Sequence, residues 1–197
     1  MQIKKTPSEQ EKKLNTFIKD SRNLLKIAFS NYYIWNLYKS EEKDYSDILR
    51  RYEGFFIQSR YAHFIAMLLA ITSLLDKDSH KYNSIFSYIT YIKINELLND
   101  DSVEEIDQKI FNLQPFVSKL MFLRSNIYAH ISPNINPDVA HEKKGLTDND
   151  YMKVIQLIGD IIEIIERDLI KSKFFYWIDS GSKDLKNILD ALKNLDS

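Results

Sequence analysis

The chain has 197 residues, 44% hydrophobic and 28% charged, with a formal net charge of −1, four glycines, four prolines and no cysteine. That balance suits a globular chain long enough to bury a core without staples, and it excludes a disulfide framework, thiolate zinc sites and a cysteine nucleophile. A charge so near zero supplies no global positive field for nucleic acid.

The start, from Met1 to Pro7, lacks an apolar signal core, and the longest apolar run, residues 65–75, is interrupted by Thr72 and Ser73 and falls short of a bilayer span. No membrane partner is expected, and the expected location is cytoplasmic. Charge is unevenly spread. Residues 1–26 carry Lys4, Lys5, Lys12, Lys13, Lys19, Arg22 and Lys26, and residues 146–170 carry Asp148, Asp150, Asp160, Glu163, Glu166 and Asp168. The expected reading is two solvated faces lying near each other; a basic arm on phosphates is the alternative.

Scarce glycine and proline suit long helices, and no two glycines lie close enough for a phosphate loop. The first helix is expected over residues 8–40, with Ser8 as N-cap and Glu11 three residues on, a capping-box pattern. Leu14, Phe17, Ile18, Leu24, Leu25 and Ala28 form its apolar stripe. Tyr32, Tyr33, Trp35 and Tyr38 have the chemistry to stack bases, but at helical spacing they read as core or subunit interface. A second long helix is expected over residues 46–75, with Phe56, His63, Met67, Ala70 and Leu74 on one stripe. His63 is then a core histidine with one hydrogen-bond partner, and Ala62, Ala66 and Ala70 permit close approach of another helix. The acidic turn at residues 76–80 fails as a calcium loop, because Lys81 and Ser87 stand where Gly and Glu are needed.

A third helix is expected over residues 81–98, and Asp101 or Ser102 should cap a fourth, with Glu104 and Glu105 favoured by the dipole of its first turn. Pro115 should kink or split that helix, and Pro133 should end it around His130 or Ile131. Residues 133–146 then form the one long loop. Thr147 with Asp150 begins a fifth helix whose apolar stripe runs from Tyr151 to Leu169. Phe174, Phe175 and Trp177 are expected to pack on the bundle or on a partner, ahead of a short helix capped by Ser182 and ending near Leu195. The pattern implies an all-α fold, an antiparallel bundle of five to six helices. It reads as one domain over residues 1–197, with residues 178–197 as a C-terminal appendage.

The fourth helix ends on Arg124, Ser125, Asn126, Ile127, Tyr128, Ala129 and His130, which gathers a permanent cation, an amide, a phenol and an imidazole within seven residues. On a regular helix Arg124 and His130 lie roughly 120° apart in rotation and about 9 Å apart in rise. They share a cleft only if the helix breaks near His130 or two copies of the motif meet across a dimer. The residue types suit phosphate chemistry: a guanidinium grips two phosphate oxygens, and an imidazole exchanges protons near neutral pH. Asn126, four residues before His130, is placed to orient that ring or bind a ribose hydroxyl. With no metal-ligand cluster nearby, the expected reaction uses neither metal nor cofactor.

The segment Leu123-Arg124 through Ala129-His130 resembles the Arg-x(4–6)-His signature of the HEPN superfamily, and most closely its AbiU-like abortive-infection branch. There, such a segment follows a helix ending like Leu74-Leu75-Asp76 and precedes one starting like Gly145-Leu146-Thr147-x-x-Asp150. The resemblance spans residues 50–169. It implies a homodimer whose two Arg/His pairs form one cleft, acting as a metal-independent endoribonuclease of the toxin or antiphage kind, with RNA as substrate and an antitoxin or regulatory protein as a further partner. Arg124 and His130 carry over as the catalytic pair; Ser125, Asn126 and Tyr128 are expected to support it from their places within the motif, not by correspondence with the family. This chain departs from the family by placing Ser125 where Asn or Asp commonly follows the arginine. It also has Ser132 where a sister branch carries a modified tyrosine. A second class of function stays open: a non-catalytic helical module binding a nucleotide, RNA or a protein.

Overall fold

The computed structural model describes residues 9–76, 84–129, 145–170 and 181–195. Among these residues the secondary structure is helical throughout: α1 (Glu9–Ser40), α2 (Ser46–Arg51), α3 (Glu53–Leu75), α4 (Ile85–Ile94), α5 (Asp100–Ala129), α6 (Asp148–Ile165) and α7 (Gly181–Leu195). A single π-helical turn, Glu166–Ile170, continues α6.

The bundle closes on α1. Its stripe residues Leu14, Phe17, Ile18, Leu25 and Ala28 are all buried. Trp35 sits in an aromatic triad, 5.3 Å from Phe64 and 5.7 Å from Tyr151 between ring centroids, with Phe64 and Tyr151 themselves 5.7 Å apart. Tyr32, Trp35 and Tyr38 are at most 5% exposed, so their rings belong to the core and are not available to stack bases. His63 is half-buried, and its Nδ1 donates to Asn31 Oδ1 at 2.7 Å, as expected of a core histidine with one partner. Of the three alanines, only Ala70 is buried; Ala62 is exposed.

α1 and α6 run antiparallel, fastened near both ends by ion pairs. Lys39 Nζ lies 2.7 Å from Asp148 Oδ2, and Arg22 Nε donates to Glu166 Oε2 at 3.1 Å. The basic and acidic segments therefore face each other, but Glu166 is only 1% exposed, so this end of the contact is buried rather than solvated. α5 runs antiparallel to α6 along its outer side, with Lys109 on Asp160 at 2.7 Å and the Ser102 hydroxyl on Asp168.

Several boundaries differ from the sequence reading. The second long helix is broken at Tyr52, whose φ of −112° and ψ of 33° leave helical geometry. The break lets Ile48 of α2 and Phe56 of α3 enter one cluster. α4 stops at Ile94 because Glu96 takes a φ of +50°, and Leu97 N then bonds Ile92 O at 3.1 Å, closing the helix end without a glycine. Asn99 caps α5, its Oδ1 accepting from Ser102 N at 2.8 Å; Ser102 instead points inward, 4% exposed. Pro115 does not split α5: it sits on an exposed face of the helix, which tolerates the loss of one backbone N–H there. The expected box at Thr147 forms, with Thr147 N and Oγ1 donating to Asp150 Oδ2 at 2.7 and 2.8 Å. Ser182 lies one residue inside α7, whereas Ser8 and residues 174–177 fall outside the described residues.

By length and composition α3 could cross a membrane, which the interrupted run at residues 65–75 concealed because the helix continues upstream through Phe55, Phe56 and Ile57. Here its Phe64, Met67, Leu68, Ile71, Leu74 and Leu75 are fully buried in the bundle.

Candidate functional site

The last turns of α5 project Arg124 from a helix anchored by Leu120 and Leu123, each 1% exposed. α3 ends at Leu75, and Asp76 follows in extended geometry, φ −70° and ψ 110°, which turns it off the helix axis. The two meet: Arg124 Nη1 donates to Asp76 Oδ2 at 2.9 Å, with the arginine side chain 33% exposed and the aspartate 26%. Among the described residues this bond engages one of the five N–H donors of the guanidinium, which leaves the fork able to grip two phosphate oxygens.

The neighbours do something different from what their spacing suggested. Ser125 Oγ donates to Met121 O at 3.0 Å, and Asn126 Nδ2 donates to Phe122 O at 2.7 Å. Both polar side chains fold back on their own helix, so the Asn126 amide nitrogen is engaged with α5 rather than reaching along the motif. α5 continues through Ala129; the side chain of Tyr128 and all of His130 lie outside the described residues. The chain returns at Gly145, where a φ of +60° favours glycine, and Lys119 Nζ donates to the Gly145 carbonyl at 3.2 Å. α5 thus holds both the motif and the far end of the segment that follows it.

Asp76 is the site residue that sequence reasoning did not assign. Its signal was present, since Leu74-Leu75-Asp76 was matched as a helix end, but the pairing with Arg124 across 48 residues is a tertiary fact. Among the described residues no group of three or more His, Asp or Glu side chains gathers as a metal site.

The described residues thus form a helical bundle whose fifth helix carries Arg124, with Asp76 at the end of α3 paired to it. The model of the AbiU2 family of HEPN domains matches residues 11–193. The chain belongs to that family and is a HEPN-like abortive-infection protein. No curated protein and no solved structure matches it.

Proposed function

We propose that the chain is a metal-independent endoribonuclease of HEPN type that acts as a homodimer on RNA in the cytoplasm. The observation that carries the reading is Arg124, part-exposed near the end of α5 and held from one side by Asp76. A guanidinium oriented in this way offers its other donors to a phosphate, and the sequence supplies an imidazole six residues on. In the proposed reaction the ribose 2′-oxygen attacks phosphorus and loses its proton, the bond to the 5′-oxygen breaks, and that oxygen takes up a proton. The products carry a 2′,3′-cyclic phosphate and a 5′-hydroxyl. Arg124 holds the non-bridging oxygens, and His130 moves a proton or stabilises the charge that builds on phosphate. Ser125 and Asn126, tied back to the carbonyls of their own helix, support the pair by stiffening the end of α5; Tyr128 supports it as a further polar group, and an antitoxin or regulatory protein controls it.

The test is RNA cleavage with EDTA present, comparing wild type with a folded His130→Ala variant. Cleavage by wild type alone, leaving cyclic-phosphate ends, supports the assignment; equal cutting by both proteins sinks it.

The same ion pair also favours a second reading. Joining the end of α3 to α5, it is the kind of part-buried bridge that serves architecture, and Arg124 would then belong to a non-catalytic module that binds RNA, a nucleotide or a protein. Asp76→Asn separates the two. If the aspartate orients a catalytic guanidinium, cleavage falls about tenfold while the unfolding midpoint hardly moves. If the pair is architectural, only the midpoint falls.

A further inference from the structure

The basic character of the first helix is not used by the Arg124 site. Lys12, Lys19 and Lys26 recur every seven residues and are all exposed, with Thr16 and Asn23 exposed between them. A seven-residue step turns the helix by about −20° and advances it about 10.5 Å, so the three ammonium groups form a nearly straight stripe on α1. Lys13 stands beside it and is paired with Glu9 at 3.4 Å; Asp20 is half-buried at its flank. Positive charge therefore predominates along this face, although the chain as a whole is near neutral.

At the N-terminal end of the stripe lies a cavity of about 260 Å³ between α1 and α4, lined by Phe17, Tyr88 and Tyr91 together with Lys12, Lys13, Thr16 and Glu9, the last paired with Lys13. Its volume falls below the roughly 300–1,000 Å³ of pockets for drug-sized ligands, which suits one flat heterocycle. Phe17 and Tyr88 are stacked on each other, their centroids 3.6 Å apart, and at 3% exposure each they form the floor of the cavity; half-buried Tyr91 is the ring a base can reach. Cations spaced along a line that leads to an aromatic pocket match a polyanion carrying unstacked bases. A duplex would keep its bases paired and out of reach. A membrane surface would want a broad apolar face, and the one large exposed apolar residue on this part of α1 is Ile27.

We propose that this face binds single-stranded RNA, with phosphates along Lys12, Lys19 and Lys26 and one base against Tyr91 at the cavity. The choice of RNA as occupant rests on the ribonuclease reading above. The face adds a holding site, separate from the Arg124 motif, that would keep the strand on the protein before and after cleavage.

The experiment uses the full chain carrying His130→Ala, so that RNA stays intact, and follows the anisotropy of a short fluorescent oligoribonucleotide at several salt concentrations. Combining Lys12→Gln, Lys19→Gln and Lys26→Gln should weaken binding at least tenfold at low salt. The slope of log affinity against log salt should fall by about 2, at roughly 0.7 per single-strand phosphate contact. The three Lys→Arg changes should retain binding, and Tyr91→Leu should weaken it about five- to tenfold through loss of one stacked base. Thermal unfolding confirms that each variant is folded. Wild-type affinity and salt slope in the glutamine variant would overturn the proposal. So would equal affinity for a free mononucleotide and the oligomer, or loss of self-association without loss of RNA binding, which would assign the face to a protein. Cleavage by the protein with native His130 is scored separately: RNA held but never cut refutes the ribonuclease reading alone, and RNA cut normally by the glutamine variant with unchanged binding refutes this one alone.

Discussion

The cluster around Trp35, Phe64 and Tyr151 and the smaller one around Tyr45, Phe56 and Leu189 both draw on α1 and α3, yet they close by different means. The first is sealed by apolar side chains from α1, α3, α4, α5 and α6, with three aromatic rings in mutual contact and most members at or near zero exposure. The second is roofed by one face of α7, where Leu185 and Leu189 insert and Ile188 stays 54% exposed. Polar links finish it: the Tyr45 hydroxyl on Asp190, Lys186 on Glu41 at 3.0 Å, and Lys193 on the Asp44 carbonyl at 3.1 Å. Gly181 fits the entry to α7 tightly, since a Cβ there would come within 2.8 Å of Ile34 Cδ1. A core built from many directions resists local opening, whereas a roof made by one helix can lift as a unit.

The largest effect should come from Trp35→Ala. Removing a fully buried indole from the triad is expected to cost about 3–5 kcal/mol, read as a fall in the urea midpoint for the whole chain. Leu189→Ala should cost about 2–3 kcal/mol and act locally. Amides of α7 should lose hydrogen-exchange protection while those of α6 keep theirs; uniform loss across both helices would erase the distinction between the clusters.

Two titrations sharpen it further. The Tyr45 phenol is pushed up to about 12 from 10.0, first by its hydrogen bond to Asp190 and then by burial. Because the folded state holds that proton more tightly, the contribution is intact below pH 10 and is lost as pH rises through 12. Tyr45→Phe should remove one late phenolate absorbance step and the accompanying release of α7. The smallest effect belongs to His63, whose imidazole burial holds below its usual 6.5. Here the unfolded chain binds the proton more readily, so stability is complete above pH 6.5 and declines as pH falls below it. In His63→Gln the urea midpoint should be flatter across that window; an equal slope would assign the dependence to another group.

Much of the scaffold was legible because its signals are local. The stripes of α1 and α6, and Thr147 with Asp150, specify helices whose apolar faces must then be buried. What escaped depends on distant contacts. Nothing in the segment itself marks Tyr52 as a break, and Glu96 enters left-handed geometry although it is not glycine. The π-helical turn reads as ordinary helix until Glu166 is seen facing Arg22. At the candidate site the sequence marked Arg124 but not Asp76, because an ion pair between helices has no period. It also offered Asn126 to its neighbours, while the nearest competing acceptor, the carbonyl one turn back, takes the amide.

The bonds made by α1, and by Tyr45 just beyond it, carry a consequence for how the protein is made. Arg22 meets Glu166 across 144 residues, Lys39 meets Asp148 across 109, and Tyr45 meets Asp190 across 145. α1 can therefore pack on α3 soon after that helix is made, through Trp35 on Phe64 and Asn31 on His63, but these distant bonds must wait for α6 and α7. Nascent chains arrested before residue 148 should leave the α6-facing side of α1 open to proteases. Built in this order, the α1–α3 pair forms first and the bundle closes only once α6 has joined it.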